Sequence, residues 1–375
     1  MQYNRMPIEI ESPEEVGYDT IRYNLSESSV RDRTLGELNI DLSGVVLAYS
    51  EHRGILPLRQ IIVEESPILS ADQVLVTTGA AMALFIVSTT LLKTSDHLIV
   101  IRPNYATNIE TPRAIGCQMS VIDLEFDKGF DLDPAQIRAA VRPNTKLISI
   151  TNPHNPTSKL FSEATIRAIV AIAEENNCYL IVDETYRDLN FQTPLRPYAA
   201  IESDKVISIC SLSKAFGVPG IRIGWLICRD PKLMYKLLAA KEQIILGNSI
   251  IDETIALHLL TQKATLLPVI HAQIQENYAV FKQWASSQTL VEYVMPEVGG
   301  VCFVRLKSEY DLDFDAFRQN LYNTHQTFVG FGHWFEQSER YFRLGFAYPS
   351  ATELAEGLRC FEECLKENSK ISSKD

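Results

Sequence analysis

The stretch SLSKAFGVPGIRIGW, residues 211–225, decides the fold of this chain. An apolar, largely β-branched run at 206–210 leads into it and predicts a buried strand. Its glycines and proline then prevent a helix from starting, and strand character resumes over 221–227. Lys214 therefore comes just after a buried strand, where an amine is partly desolvated and suited to form a Schiff base.

Groups that suit a phosphate flank this lysine. Ser211 and Ser213 supply hydroxyls, and Arg222 supplies a guanidinium at the start of the next strand. Such groups donate hydrogen bonds to phosphate oxygens. An amine beside phosphate ligands predicts a site for pyridoxal phosphate (PLP), whereas a bare Ser-Lys pair would more simply be a surface lysine in a loop.

The ordered pattern S-x-S-K-x-x-G-x-P-G-x-R-x-G-W resembles the lysine motif of the class I/II aminotransferases, which are fold-type I PLP enzymes. The likeness runs from about Asn24 to the last predicted helix. It implies an α/β fold-type I PLP-dependent transferase, with a large domain whose mostly parallel sheet is sandwiched by helices and a smaller α+β domain. It also implies that Lys214 holds PLP as a Schiff base and moves protons during catalysis.

The chain before this motif alternates apolar runs with helical patterns. Such alternation indicates crossover units and a mostly parallel sheet, whose ligands bind beyond the carboxyl ends of the strands. After a strand at 74–77, Gly79, Ala80 and Ala81 open an apolar helix. A glycine-led helix start offers free N–H groups and the positive end of the helix dipole to an anion. The resemblance makes this the PLP phosphate loop.

Two further motifs follow strands. Residues 152–157, N-P-H-N-P-T, are similar to the family's N-P-x-N-P-T-G, in which the second asparagine, here Asn155, faces the cofactor's phenolic oxygen and the substrate. Ser158 replaces the usual glycine and is expected to change only the turn geometry. In D-E-T-Y, Asp183 ends a buried strand, where a carboxylate is costly unless it is paired. The resemblance implies that Asp183 pairs with the protonated pyridine nitrogen and that Tyr186 bonds the phenolic oxygen.

The resemblance assigns four more residues. Tyr105 would stack on the pyridine ring, and Tyr49 would reach the phosphate of the partner subunit's cofactor. Arg343 interrupts an apolar strand, where its guanidinium can hold the substrate's α-carboxylate through two parallel hydrogen bonds. Ser26 lies in an N-terminal segment that would touch the substrate. Taken alone, each tyrosine would more simply be a packed side chain, and Arg343 would form a structural salt bridge.

Composition limits the classes of function. The chain has 375 residues, of which 46% are hydrophobic and 22% charged, with a net charge of −12. This acidity disfavours nucleic-acid and anionic-membrane partners, because phosphate surfaces need a basic face. No segment reaches the uncharged apolar length of a membrane span. A PLP-sensing transcription regulator would need a basic DNA-binding domain before Tyr49, and the residues there are not a helix-turn-helix.

The cysteines point to a reducing compartment. Their number is seven, none is in C-x-x-C spacing, and several lie in apolar strand runs. An odd count in a long chain favours reduced thiols. Residues 1–15 are polar and acidic and do not show the basic-then-apolar pattern of a signal peptide. We therefore expect a cytoplasmic protein without a metal site.

Helical and strand patterns continue to residue 366 and predict a second domain. We expect an N-terminal arm and part of the small domain at 1–45, a large PLP-binding domain at 46–265, a small C-terminal domain at 266–367 and a tail at 368–375. The resemblance also implies a homodimer with shared active sites.

The predicted function is a PLP-dependent aminotransferase that passes the amino group of an α-amino acid to a 2-oxo acid in a ping-pong reaction. A PLP-dependent lyase or cyclase remains the alternative, since motifs for PLP binding do not separate these outcomes. Ser26, Ser28, Val30 and residues 34–38 are similar to the start of capreomycidine synthase, which cyclises an arginine derivative. Dicarboxylate-specific family members take a second arginine from the neighbouring subunit after the lysine motif. This chain has none between Arg229 and Arg305, which predicts that aspartate is a poor substrate.

Overall fold

The computed structural model describes residues 1–192 and 196–372. Within these residues the helices are α1 Pro7–Ile10, α2 Pro13–Val16, α3 Leu56–Val63, α4 Gly79–Leu91, α5 Thr107–Ile115, α6 Pro134–Ala140, α7 Glu163–Glu175, α8 Pro231–Ile244, α9 Ile250–Thr261, α10 Lys263–Ser286, α11 Phe314–Asn323 and α12 Ala351–Asn368. The strands are β1 Tyr23–Leu25, β2 Val74–Thr78, β3 His97–Arg102, β4 Gln118–Asp123, β5 Thr145–Thr151, β6 Tyr179–Asp183, β7 Val206–Ser211, β8 Ile223–Cys228, β9 Val291–Glu292, β10 Val301–Leu306, β11 Tyr310–Leu312, β12 Thr327–Phe331, β13 Tyr341–Gly345 and β14 Ser369–Ile371.

The larger sheet has seven strands in the order β2-β8-β7-β6-β5-β3-β4. Strand β8 runs antiparallel to its neighbours β2 and β7. The other neighbouring pairs are parallel. This order confirms the prediction of a mostly parallel sheet. It places the carboxyl ends of β5, β6 and β7 side by side at one edge.

Both faces of this sheet are buried, as expected for parallel strands. In β3, Leu98 and Val100 pack into one apolar cluster with the buried face of α4. Ile99 and Ile101 pack into the other, which includes the buried residues of α7. Successive side chains of a strand point to opposite faces, so an apolar run such as β3 supplies both layers. The prediction of a sheet sandwiched by helices is therefore confirmed.

The second sheet has five strands in the order β1-β12-β13-β10-β9. Its first strand comes from the N-terminal arm and runs parallel to β12, whereas β13 runs antiparallel to β10 and β12. Helix α12 packs against β1 and α10. The small α+β unit thus draws on both ends of the chain. The domain limits themselves stay a proposal, because one apolar cluster runs through both sheets.

The C-terminal segment includes an element that the sequence did not indicate. Strand β14, within the predicted tail, pairs antiparallel with β11 from Tyr310↔Ile371 to Leu312↔Ser369. Backbone pairing of this kind needs no apolar pattern, so a polar tail can form a strand at a sheet edge. Residues 373–375 of the predicted tail lie outside the described residues.

Candidate active site

Three strands deliver the central residues of the site. Strand β5 ends at Thr151 just before the Asn152 loop, β6 ends at Asp183, and β7 ends at Ser211, three residues before Lys214. Because these strands are parallel neighbours, their carboxyl ends meet at one edge of the sheet, where ligands of such folds bind. The sheet order therefore brings the three strongest sequence motifs together.

Lys214 is partly buried and is held by its backbone. The N–H of Val30 donates to the carbonyl oxygen of Lys214 at 3.0 Å, so the N-terminal arm lies directly against it. The Lys214 ammonium interacts electrostatically with the carboxylates of Asp183, Glu27 and Asp32. The amine thus lies among acids from two separate parts of the chain.

A cradle for a phosphate lies beside this lysine, at the start of α4. Gly79 has a φ of +73°, and a Cβ at this position would lie 2.6 Å from Nη2 of Arg222. A Cβ on Gly224 would lie 2.6 Å from the backbone nitrogen of Ala80. Side chains would fill this space, so the glycines leave the first N–H groups of α4 open to an anion. Arg222, which is exposed, adds the positive charge.

The serines before Lys214 complete that side of the cradle. Ser211 Oγ donates to Ser213 Oγ at 2.8 Å, and the backbone N–H of Ser213 donates to Ser211 Oγ at 3.0 Å. Both side chains are buried beside β8. The first turn of helix α4, which includes Ala81, has no acidic residue, and no side chain caps its N-terminus. These donors fit the phosphate of PLP.

Asp183 is a buried carboxylate held in one orientation. Its Oδ1 accepts hydrogen bonds from the backbone N–H of Thr185 at 3.1 Å and from the Thr185 hydroxyl at 2.6 Å. Asn108 also hydrogen-bonds to this carboxylate, and Ser149 donates to Asn108 Oδ1 at 3.0 Å. Burial raises the pKa of Asp183. A protonated ring nitrogen would compensate the buried charge, which fits a pyridinium.

Arg343 and Asn155 are hydrogen-bonded to each other. Arg343 Nη1 donates to Asn155 Oδ1 at 3.0 Å, and Nη2 donates to the carbonyl oxygen of Ser26 at 2.5 Å. The guanidinium is buried 4.9 Å above the ring of Phe335, and its Nε has no hydrogen-bond partner among the described residues. With its oxygen bound to arginine, the Asn155 amide keeps its N–H donors for a ligand.

Tyr186 and Tyr105 are hydrogen-bonded to residues of the N-terminal arm, which the sequence did not indicate. Tyr186 OH lies 3.0 Å from Ser28 Oγ, and Tyr105 OH donates to Glu9 Oε1 at 3.3 Å. The Ser26 hydroxyl instead donates to Asn24 Oδ1 at 2.8 Å, so Ser26 reaches Arg343 only through its backbone. Ser28 is therefore a site residue that sequence reasoning did not select, although it stands two residues from one that was.

Tyr49 is not part of this buried cluster in its own chain. Its side chain is 88% exposed, and the neighbouring Val46 and Leu47 are each 77% exposed. An exposed apolar segment of this kind is typical of a contact with another chain. The predicted role of Tyr49 toward a partner's cofactor stays a prediction.

Ser158 does more than adjust a turn. It adopts a φ of +54°, which is the conformation that glycine would favour. In addition, its hydroxyl donates to the carbonyl oxygen of Val301 at 2.7 Å, and its own carbonyl oxygen accepts from Glu297 N at 3.1 Å. The expectation that Ser158 changes only the turn geometry is therefore wrong. A glycine could not tie the Asn155 loop to β10 through a side chain.

Known proteins share this architecture. The model of the family described as aminotransferase class I and II matches residues 57–361. Capreomycidine synthase from Streptomyces vinaceus is 25% identical over 366 residues, which cover 93% of this chain and 91% of that protein. Arginine–pyruvate transaminase AruH from Pseudomonas aeruginosa is 30% identical over 186 residues, or 48% of this chain and 47% of that protein.

Solved structures agree with the fold. A PLP-dependent aminotransferase from Streptococcus suis superposes with a TM-score of 0.90 at 27% identity, covering 99% of this chain and all of the other (100%). The PLP-dependent cyclase OrfR superposes with a TM-score of 0.85 at 25% identity, covering 98% of each chain. The predictions of a fold-type I architecture and of PLP as the cofactor are confirmed.

Proposed function

Because this chain belongs to the class I and II aminotransferase family, we propose that it is a PLP-dependent aminotransferase that acts on an α-amino acid and a 2-oxo acid. When bound, PLP accepts the electrons released when a bond at the substrate's Cα breaks. The observation that carries the proposal is the convergence of Lys214, Asp183 and the Gly79–Arg222 cradle at one edge of the sheet.

The residues around the lysine support distinct tasks. Lys214 would hold the cofactor covalently, and its amine, when free, would move a proton at the substrate's Cα. The buried carboxylate of Asp183 would keep a positive charge on the ring nitrogen. Asn155 and Tyr186 would donate hydrogen bonds to the phenolic oxygen, and Tyr105 would stack on the ring. The N–H groups of α4 would hold the phosphate together with the serine hydroxyls and Arg222.

Arg343 orients the substrate. Its guanidinium is buried, with two of its nitrogens already bonded to protein oxygens and its Nε free of partners among the described residues. A substrate carboxylate would take charge-assisted hydrogen bonds from this side chain, displacing the neutral acceptors Asn155 and Ser26 where necessary. Binding of the carboxylate in this way would orient the substrate and so determine which bond at Cα can break.

We further propose a homodimer with shared active sites, in which Tyr49 of each chain contacts the phosphate of the cofactor bound in the partner subunit. The exposed 46–49 segment supports this arrangement.

We propose the cytoplasm as the location. The seven cysteines all lie in the described part of the chain and are free thiols, which suits a reducing compartment. Among the described residues, no helix is long and apolar enough to cross a bilayer.

A PLP-dependent cyclase or lyase is the second candidate. The likeness to capreomycidine synthase and to the cyclase OrfR extends over nearly the whole chain and includes the N-terminal arm. In this case Lys214 would remove the same Cα proton, but a β or γ substituent would then leave or be replaced. The residues that bind the cofactor would keep their roles.

Reduction with borohydride tests the shared step. We expect it to fix the mass of the cofactor on the peptide that contains Lys214, and the Lys214→Ala variant to show no such peptide. A label on another lysine, or none after PLP is supplied, would refute the proposed role of Lys214.

Product stoichiometry then separates the two candidates. Without a 2-oxo acid acceptor, an aminotransferase forms about one product per site and stops, because ping-pong transfer needs the second substrate. A cyclase or lyase turns over repeatedly without an acceptor. Mass spectrometry of the products, amino acid by amino acid, distinguishes these results.

A further inference from the structure

Glu27 lies between two residues that contact the site. The carbonyl oxygen of Ser26 accepts from Arg343, and the hydroxyl of Ser28 meets Tyr186. Glu27 itself is partly buried, and Oε1 accepts a hydrogen bond from Tyr18 OH at 3.3 Å. Its carboxylate interacts electrostatically with both Lys214 and Arg343. The arm therefore places an acid within electrostatic reach of both Lys214 and Arg343.

No ion pair compensates the negative charge of this acid among the described residues. Among the described residues, no Lys, Arg or His lies within ion-pair distance of Glu27 or of Asp32, whereas the adjacent Arg31 pairs with Glu353. Burial raises the pKa of both Glu27 and Asp32. The Lys214 ammonium is the largest influence that opposes this effect on Glu27. When Lys214 is bonded to the cofactor, its free ammonium is no longer present to do so.

A second, independent observation points to a ligand at this site. The Arg343 side chain is 5% exposed, and its Nε has no hydrogen-bond partner among the described residues. It marks where a substrate carboxylate would bind. The pocket thus has a cationic end at Arg343 and an acidic part at Glu27 and Asp32. An amino acid with a cationic side chain matches both, whereas a dicarboxylate would meet repulsion.

Resting on the function proposed above, we propose that Glu27 selects amino acids with a cationic side chain by binding their guanidinium or ammonium group. Asp32 adds negative potential, and Tyr18 orients the Glu27 carboxylate. A charged hydrogen-bond pair in a partly buried pocket discriminates strongly against a neutral isostere, because the acid is then left unpaired.

The test compares each cationic amino acid with a neutral one of similar shape: L-arginine with L-citrulline, and L-lysine with L-norleucine. The readouts are the spectral change of the PLP-loaded enzyme on binding and kcat/KM. We expect at least one cationic member to be preferred by about 10-fold or more, the value of a single charged hydrogen bond. In Glu27→Gln this ratio should fall toward one.

Glu15→Gln serves as the matched control. It removes one carboxylate from the same arm, but Glu15 is exposed and pairs with Arg5. The control should keep the wild-type ratio. The inference is overturned if neither pair shows a preference, if the preference survives Glu27→Gln, or if Glu15→Gln removes it equally. A chain that takes up no PLP, by contrast, fails at the proposed function itself.

Discussion

The backbone N–H of Val30 donates a hydrogen bond to the carbonyl oxygen of Lys214 at 3.0 Å. This contact joins the N-terminal arm to the end of the central sheet. Two residues earlier in the arm, the hydroxyl of Ser28 meets Tyr186, and Ser26 meets Arg343. The arm is therefore part of the site wall.

Asp183→Asn should keep the cofactor but lose turnover. The neutral amide cannot hold a positive charge on the ring nitrogen, and removal of such an electrostatic contribution costs about 100-fold or more in kcat. Steady-state kinetics of the loaded variant measure the loss. Rates close to wild type would show that another group supports the ring nitrogen.

A measurement of unfolding free energy distinguishes this loss of turnover from misfolding of the variant. Burial raises the pKa of Asp183 in the folded state above its value in the unfolded state. The protonated carboxyl group therefore contributes stability at a pH below the unfolded-state pKa, and this contribution is lost as the pH rises through the folded-state pKa. Above that range the ionised carboxylate destabilises the cofactor-free fold. The cofactor-free Asp183→Asn protein should therefore have a free energy of unfolding at pH 8 no lower than that of wild type.

His154 should make the fold sensitive to mild acid. It is buried in the Asn155 loop, with Nε2 donating to the carbonyl oxygen of Pro103 at 2.9 Å and Nδ1 accepting from Thr157 Oγ1 at 2.8 Å. Burial lowers its pKa from 6.5 to about 3. Because the unfolded state binds the proton first, the stability from neutral His154 is present above pH 6.5 and is lost as pH falls toward 3.

Between pH 7 and pH 5 this residue should remove about 2 kcal/mol from the free energy of unfolding. His154→Gln keeps an N–H donor but does not titrate, so its unfolding curve should fall less over that range. Urea unfolding of both cofactor-free proteins gives the difference, since the other groups titrate in both. Equal pH dependence of the two would contradict a neutral buried His154.

Aspartate should be a poor substrate. No arginine lies between Arg229 and Arg305. The proposed side-chain site at Glu27 and Asp32 would add negative charge where a second carboxylate would need a cation. Like charges in a pocket cost several kcal/mol, so kcat/KM for L-aspartate should be about 100-fold or more below that for L-norleucine. Saturation by aspartate at low concentration with efficient turnover would refute this.

Tyr49 should act across a dimer. A two-fold interface is reciprocal, so each chain would lend its tyrosine and borrow its partner's. Mixed dimers of Lys214→Ala and Tyr49→Asp would contain one site with both defects and one intact site. Activity should reappear on mixing, up to about half of wild type per mixed dimer.

The two variant homodimers, which should each be inactive, are the controls for this experiment. If Tyr49 served its own chain, every site in the mixed dimer would keep a defect and no activity would return. A monomeric active enzyme would exclude the shared site.

Local pattern was enough for much of this protein. The strand 206–210, the glycine-led start of α4 and the acid that ends β6 were all readable, because apolar period, helix breakers and strand-terminal polar residues act over a few neighbouring positions. The family likeness then joined Lys214, Asp183 and Arg222 into one expected site.

Other features depended on contacts between distant parts of the chain. Local pattern carries no signal for the hydrogen bond from Ser158 to Val301, for the pairing of β14 with β11, or for the electrostatic interaction of Glu27 with Arg343 and Lys214. In each case the partners come from separate segments that only the packed fold brings together. The sequence by itself therefore determined the fold class, the cofactor and the order of the motifs. The tertiary structure decided which groups of the arm contact Lys214, Tyr186 and Arg343, because those contacts follow from where the backbone of the arm is hydrogen-bonded.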